Sequence, residues 1–471
     1  MSLKKDLSYF DLTNIVVGAI VGSDIYIASA ITAGLIGPFS IIVWVVAGIV
    51  ATILAMVFAY SSYYVPRVGG SFAYVSAAFD EFWGFLAGWS MWVAEVLSLP
   101  VFALTFTNYL QYYVPLNLAG QLLVKGAFLF GLTAVNIFGV KAAGRLNDVL
   151  TLGKLMPLLL IVAVGLGSFL YAPSRFVSNY TPLLPSGLGN FGTALVLVFW
   201  AYVGFELGTL PAGEVQDPKK TIPKAIVSGM AIVTFFYLST NFVIFGAVSS
   251  PELAGTLVPL VIVSLALLGA MGATIISVGA LVSVSGSDES GMLGTGRLTY
   301  AMAIDGLFPK AFARLHSKFN TPYVALTVQA VIAFALSTFS GLQNLISFAV
   351  FNLAFSFLLV SLSFSVLKKS GEKGLYGQSV LPWLGVGICL YLLYSTTLLD
   401  KIAGSIVVLL GIPLYVFFSP KTDISHLKAL FVSEEAILSS NLQKKNRFLG
   451  NLVRLSAAGY KRARRKQVPQ R

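Results

Sequence analysis

Apolar runs of about 20 residues recur along the chain, separated by short polar loops, and this pattern constrains the fold more than any other feature. A helix of about 20 apolar residues spans the roughly 30 Å hydrocarbon core of a bilayer. The composition agrees, because 57% of the residues are hydrophobic and 11% are charged, whereas about a quarter of a soluble domain is charged. We therefore predict an all-α integral membrane protein.

The apolar runs predict twelve transmembrane helices, at residues 10–36, 39–64, 82–113, 121–138, 144–170, 189–213, 222–246, 258–290, 322–339, 343–367, 380–398 and 401–418. The helix of span eight can extend into the loop that follows it. Lysines and arginines are enriched in the cytoplasmic loops of membrane proteins. One set of predicted loops carries Lys4, Lys5, Arg67, Lys141, Arg145, Lys219, Lys220, Lys224, Arg297, Lys310, Arg314, Lys318, Lys368, Lys369 and Lys373. The opposite set carries only Lys125, Arg175 and Lys401, so both termini are predicted in the cytoplasm of a cell-membrane protein.

The stretch 199–226 does not suit a helix that simply crosses lipid. Gly204, Glu206, Gly208 and Pro211 interrupt its apolar part. A carboxylate at the centre of a membrane helix costs roughly 2.5–3.5 kcal/mol on insertion scales. Glycine and proline also weaken the backbone hydrogen bonds. Broken backbone at membrane depth persists only where it is buried in protein or lines a cavity, so we predict a binding site at this break.

Span one carries the same kind of interruption, with Gly18, Gly22, Ser23 and Asp24 near its middle. Small residues in a membrane helix also let a neighbouring helix pack closely, but here an acid lies beside the glycines in both segments. Two helices broken five spans apart are typical of an inverted repeat with its site near the bilayer midplane. We therefore predict a first repeat over 1–170, a second over 189–367 and two further spans over 380–418.

Residues 419–471 form a basic tail, which contains twelve lysines and arginines and three acidic residues. Most of the net charge of +12 is therefore local to this segment. A basic cytoplasmic segment next to a membrane is attracted to anionic lipid. We predict lipid contact for the tail and no nucleic-acid binding.

Four stretches resemble a known family when they are taken in order. They are Gly22-Ser23-Asp24-Ile25, Pro66-Arg67-Val68-Gly69-Gly70-Ser71, the segment 199–226 with Gly204-Phe205-Glu206 and Glu214 to Pro223, and Arg297 to Pro309 followed by Thr321-Pro322. Together they resemble the amino acid–polyamine–organocation (APC) transporters over nearly the whole membrane part. The resemblance implies a LeuT-like fold with a 5+5 inverted repeat and broken helices 1 and 6. It also implies secondary active transport of amino acids or related amines by alternating access.

The resemblance also implies which residues bind the substrate. In that family, amides freed by the break in span one bind the substrate carboxylate, and carbonyls freed in span six bind its amino group. Freed amides at a helix N-terminus favour an anion, and freed carbonyls suit an ammonium. The matching positions are Gly22, Ser23 and Asp24 in span one, and Phe199, Trp200, Ala201, Val203 and Gly204 in span six. Trp200 matches a gating position in some relatives, and its alternative role is packing.

Asp24 departs from the family, which usually has a second glycine at this position. A carboxylate there repels a substrate carboxylate unless it is protonated or paired. It attracts an amine instead, or it caps the broken helix through backbone N–H groups. These three interpretations stay open at the level of sequence.

Further charged residues lie within the predicted spans. In proton-driven relatives a lysine on span five resembles a substitute for the sodium ion between spans one and eight, so Lys154 is the candidate carrier of the coupling proton. Asp288 is predicted beside Lys154, with a solvated helix end as the alternative. Acids inside a membrane are functional candidates by default. For Glu206 we predict an inter-helix hydrogen bond that organises the break, and for Glu95 either a place on the substrate path or a protonated packing role.

The sequence contains no catalytic constellation, no metal-ligand spacing and no phosphate-binding loop in a strand–helix context. Its single cysteine, Cys389, permits no intrachain disulfide. We therefore predict a non-enzymatic transporter without a cofactor, with proton-coupled amino acid uptake as its activity. The alternatives are a polyamine or organic cation carrier, and a non-transporting nutrient sensor with the same fold.

Overall fold

The computed structural model describes residues 8–66, 69–138, 140–209, 215–367 and 377–419, without the side chains of 140–152 and 219. Every regular element in these ranges is helical. The α-helices are α1 Tyr9–Ile20, α2 Asp24–Ile36, α3 Ser40–Tyr64, α4 Ser71–Ala78, α5 Glu81–Gln111, α6 Leu118–Phe138, α7 Val140–Tyr171, α8 Pro173–Asn179, α9 Phe191–Ala201, α10 Pro218–Ala247, α11 Ser250–Ala254, α12 Pro259–Ile304, α13 Tyr323–Phe339, α14 Leu342–Leu367, α15 Leu381–Ser395 and α16 Leu398–Phe418. Short 3₁₀ segments cover Gly37–Phe39, Phe205–Thr209 and Lys310–Ala313. The predicted all-α class is confirmed.

Eight helical stretches of the described chain are long and apolar enough to cross a membrane. Four shorter apolar helices accompany them, namely α1, α9, α13 and α15. Two of the four, α1 and α9, are short because the predicted interruptions end them. α12 is the longest helix, with 46 residues, and continues past the predicted end of span eight to Ile304. These helices make the chain a multi-pass membrane protein.

The interruptions predicted in spans one and six are both present. α1 ends at Ile20 and α2 begins at Asp24, which leaves three residues of non-helical chain between them. α9 ends at Ala201 and is followed by the 3₁₀ segment Phe205–Thr209. α1 packs directly against that 3₁₀ segment, so the two interruptions lie side by side.

The helices around the interruptions pack into one bundle. α5 packs against α12 and α14, and α10 packs against α1 and α3. A core cluster joins α5, α6, α12 and α13 through Leu99, Ala103, Phe128, Leu129, Val284, Met292 and Ala333. The short helix α4 packs on α5 and α14 and buries Ser71, Phe72, Ala73, Tyr74 and Val75.

Several sequence predictions concern residues outside the described ranges. They include Lys4, Lys5, Arg67, Glu214 and residues 420–471 of the basic tail. Contacts group the chain up to Tyr415 as one compact unit, and of the second unit only the end of α16 and Ser419 are described. The orientation of the termini and the lipid contact of the tail therefore remain predictions.

Candidate functional site

Side chains from other helices satisfy the carbonyl groups that the first interruption frees. The last carbonyls of any α-helix lack partners within the helix. At the end of α1, the hydroxyl oxygen of Tyr237 in α10 lies 3.2 Å from Ile20 O. The hydroxyl of Ser287 in α12 donates to Val21 O at 2.9 Å. Helices α10 and α12 thus hold the broken end of α1 in place.

Lys154 of α7 binds the same end of α1. Its ammonium Nζ donates to Gly18 O, and it lies 3.5 Å from the hydroxyl of Ser287. Lys154 is fully buried. A cation at a helix C-terminus is favoured by the helix dipole, so this position explains how the protein interior accommodates an ammonium.

The carboxylate of Asp24 turns back into the interruption of its own span. Its Oδ1 accepts the amide of Gly22 at 2.8 Å, and its Oδ2 accepts the hydroxyl of Tyr237. The ring of Tyr237 is held by Trp44 and Tyr202, each with a centroid distance of 5.2 Å. The carboxylate thus binds a backbone amide freed by the interruption, and the three interpretations of Asp24 remain predictions.

The second interruption approaches the first through Gly204. Its φ of +121° lies in a region that side-chain-bearing residues rarely adopt. A Cβ at this position would lie 2.9 Å from the carbonyl carbon and oxygen of Ala19 and 3.1 Å from Ile20 N. Glycine therefore permits backbone-to-backbone contact between the two broken spans.

Glu206 stabilises the second interruption from within. Its Oε2 accepts the amide of Gly204 at 3.1 Å, while its Oε1 has no hydrogen-bond partner in the described part of the chain. The predicted inter-helix hydrogen bond of Glu206 was therefore wrong. The reason is local, since the turn after Gly204 brings its freed amide within reach of a carboxylate two residues later.

The carbonyls predicted to bind an ammonium are partly engaged. Phe199 O accepts the amide of Tyr202 at 3.0 Å, and Trp200 O accepts the amide of Val203 at 3.1 Å. A carbonyl oxygen has two lone pairs. Trp200 O also accepts the amide of Tyr202, so Phe199 O is the one of the two that keeps a lone pair for a further donor. The last turn of α9 is thus closed and still able to accept hydrogen bonds.

A cavity of about 50 Å³ lies between the two interruptions. Trp200 lies on its wall, and the Trp200 indole nitrogen donates to the hydroxyl of Ser98 in α5 at 3.1 Å. The lining residues are Ala19, Ile20, Asp24, Glu95, Ser98, Phe102, Trp200, Val203, Gly204, Glu206, Leu207, Ser287 and Gly291. The cavity therefore brings together Asp24, Trp200, Val203 and Gly204 from the predicted binding positions. It does not include Gly22, Ser23, Phe199 or Ala201 in its lining.

A family model described as amino acid permease matches residues 7–418. The chain belongs to the amino acid permease family. The resemblance to the APC superfamily is thereby confirmed.

Named relatives of this permease are transporters. It is 28% identical to the methylthioribose transporter of Bacillus subtilis (strain 168) over 443 residues, which cover 89% of this chain and 94% of the relative. It is 28% identical to the branched-chain amino acid permease of the same organism over 446 residues, with the same coverage. It is 31% identical to the large neutral amino acids transporter small subunit 2 of Mus musculus over 368 residues, which cover 74% of this chain and 68% of the relative.

The predicted contact between Lys154 and Asp288 does not form in the permease. Asp288 is fully buried, and neither of its carboxylate oxygens has a hydrogen-bond partner among the described residues. The neighbouring Ser287 faces α1 and Lys154 instead. Successive residues of a helix differ in direction by about 100°, so Ser287 and Asp288 cannot both face the end of α1.

Sequence reasoning missed three residues of the permease site. For Ser287 the available signal was a hydroxyl inside a predicted membrane span. Ser98 and Tyr237 carried no signal, since a serine and a tyrosine in an apolar run are also ordinary packing residues. Their roles depend on which helices meet, which a single sequence does not specify.

Proposed function

We propose that this permease is a secondary active transporter, which takes up an amino acid together with a proton by alternating access. The observation that carries the proposal is the close approach of the two broken spans at Gly204 and Ala19, with a cavity beside them. Broken helices with free backbone groups are the usual substrate site of such transporters. Relatives named as amino acid transporters support the same activity.

The packing of the helices supports the proposed twelve spans and the inverted repeat. Under such a repeat, spans one to five correspond to spans six to ten. α1 packs on α10, and its proposed counterpart α9 packs on α3. In the same way α5 packs on α14, while α12 packs on α7. Helix pairs therefore recur when each span is exchanged with the span five positions away, as a 5+5 repeat requires.

The surroundings of Lys154 support its proposed role as carrier of the coupling proton. Its ammonium links α7 to the broken end of α1 and to Ser287 of α12. Loss of the proton removes a positive charge from the end of α1, where the helix dipole favours it. Protonation of Lys154 would thus stabilise one position of α1, and deprotonation would release it. Asp288 remains a second candidate in proton coupling, acting without direct contact to Lys154.

We place the permease in the cell membrane, with both termini in the cytoplasm and the basic tail against anionic lipid. The charge distribution among the predicted loops supports the orientation. The charge of residues 419–471 supports the lipid contact.

Uptake by the purified protein in liposomes tests the proposed transport. Labelled amino acids are added outside liposomes that carry an inward proton gradient. The proposal predicts accumulation above the external concentration, and its collapse when a protonophore dissipates the gradient. Binding of an amino acid without any flux would contradict transport and favour a sensor with this fold.

A further inference from the structure

Two cavities meet at Glu95 and Glu206. The cavity between the interruptions and a second cavity of about 30 Å³ share Glu95, Glu206 and Leu207 in their linings. The second cavity also touches Gly70 of the loop before α4 and Thr295 of α12. The two carboxyl side chains therefore lie where the space beside the interruptions continues toward α4 and α12.

Both linings are acidic. The cavity beside the interruptions is lined by three carboxyl side chains, and no lysine or arginine of the described chain is among its lining residues. The ammonium of Lys154 is directed to Gly18 O and Ser287. Asp24 has its own partners in Gly22 and Tyr237. Glu95 and Glu206 are the two carboxyl groups of this cavity without a cationic or hydroxyl partner among the contacts described.

One carboxyl oxygen at this point is buried and unpaired. Glu206 is 3% exposed, and its Oε1 lacks a hydrogen-bond partner within the described ranges. Glu95 is half-buried and lines both cavities beside Glu206. A buried polar atom without a partner is costly, and two close carboxylates do not both ionise unless a cation balances them.

We propose that Glu95 and Glu206 form a subsite for a second cationic group of the cargo. This second group is an ammonium or guanidinium. It lies at the far end of the cargo from the amino group that binds at the interruption of span six. The inference rests on the proposed function, because it names the chemical class of the cargo in the same cavity. A basic amino acid and a diamine both carry such a group, and they differ in whether an α-carboxylate is present.

The neutral variant Glu95→Gln tests the subsite. It keeps the size of the side chain and removes the charge, and no hydrogen bond of Glu95 is described that it would break. Glu206→Gln is the second variant, since its amide carbonyl still accepts the Gly204 amide. Glu252→Gln is the matched control, because Glu252 is an exposed residue of α11 outside both cavities.

Binding of L-lysine, putrescine and L-leucine is measured by thermal stabilisation of the purified protein, and uptake is measured in liposomes. Ligand binding to the folded state raises its stability. We expect L-lysine or putrescine to bind the unsubstituted protein at least about tenfold more tightly than L-leucine. We expect Glu95→Gln to reduce this preference about tenfold, which corresponds to about 1.4 kcal/mol. Glu252→Gln is expected to leave it unchanged.

Preference for L-lysine alone identifies a basic amino acid, and preference for putrescine as well identifies a diamine; both results support the subsite. A preference for L-leucine that Glu95→Gln leaves unchanged overturns the subsite while amino acid transport stands. An equal loss of L-lysine and L-leucine binding in both glutamine variants also overturns the subsite. A purely structural or proton-binding role of Glu95 and Glu206 would affect the binding of all cargoes alike. Absence of flux for every amino acid is the separate result that refutes the proposed function.

Discussion

Replacing Gly204 by alanine should separate the two interruptions. The φ of +121° at this residue is a conformation that alanine rarely adopts. The added Cβ would meet the backbone of Ala19 at 2.9 Å and that of Ile20 at 3.1 Å. Backbone atoms of a packed span cannot rotate away as a side chain does. The strain is therefore relieved only by moving the end of α1 away from the segment after α9.

The loss of stability in Gly204→Ala has two contributions, the strained backbone conformation and the overpacking by the added Cβ. A sparsely populated backbone conformation costs about 1–3 kcal/mol, and overpacking of a well-filled site costs about 1–3 kcal/mol. The sum gives a destabilisation of about 2–6 kcal/mol for Gly204→Ala. The matched control is Gly131→Ala in α6, where nothing lies within 4 Å of the added Cβ. There alanine should be neutral or stabilise the helix by about 0.5–1 kcal/mol.

Thermal unfolding of the two purified variants, together with uptake in liposomes, checks this prediction. We expect Gly204→Ala to lower the melting temperature and to abolish most uptake. Gly131→Ala is expected to keep both close to those of the unsubstituted protein. Equal melting temperatures and equal uptake rates for the two variants would refute the close approach of the interruptions.

Three further predictions follow from the site. Lys154→Ala should abolish gradient-driven accumulation, and undiminished concentrative uptake in liposomes would exclude Lys154 as the proton carrier. Asp24→Gly frees the Gly22 amide and should strengthen the binding of ordinary amino acids relative to amines about tenfold, or about 1.4 kcal/mol, in a thermal-shift titration; an unchanged substrate profile would limit Asp24 to capping. Tyr237→Phe leaves Asp24 with one partner fewer and should destabilise the protein by about 1–3 kcal/mol, whereas an unchanged melting temperature would argue against this hydrogen bond.

Much of the architecture was predictable because a bilayer imposes simple rules on a sequence. The thickness of the hydrocarbon core fixes the length of an apolar helix, so each predicted span contains a helix of the structure. The interruptions were also predictable, since Asp24 and Glu206 beside glycines are unfavourable in a continuous lipid-facing helix. These signals are local in the sequence and need no knowledge of the neighbouring helices.

The contacts between helices were less predictable from the sequence. Whether Ser287 or Asp288 faces Lys154 depends on the rotation of α12 about its axis. The side chains of two successive helical residues point in directions that differ by about 100°. The partner of Glu206 depends on the path of the chain after Gly204, which propensity does not specify. Tyr237 binds Asp24 only because α10 packs against α1. Each of these contacts follows from packing in three dimensions rather than from the local sequence pattern.

The most direct test of the central claim is to locate the cargo in the protein. A structure of the permease with a bound amino acid, determined by electron cryomicroscopy, provides this measurement. The proposed function predicts the cargo in the cavity between the two interruptions, with its amino group at the carbonyls of residues 199–203. Cargo bound elsewhere, with this cavity closed around its own side chains, would contradict it.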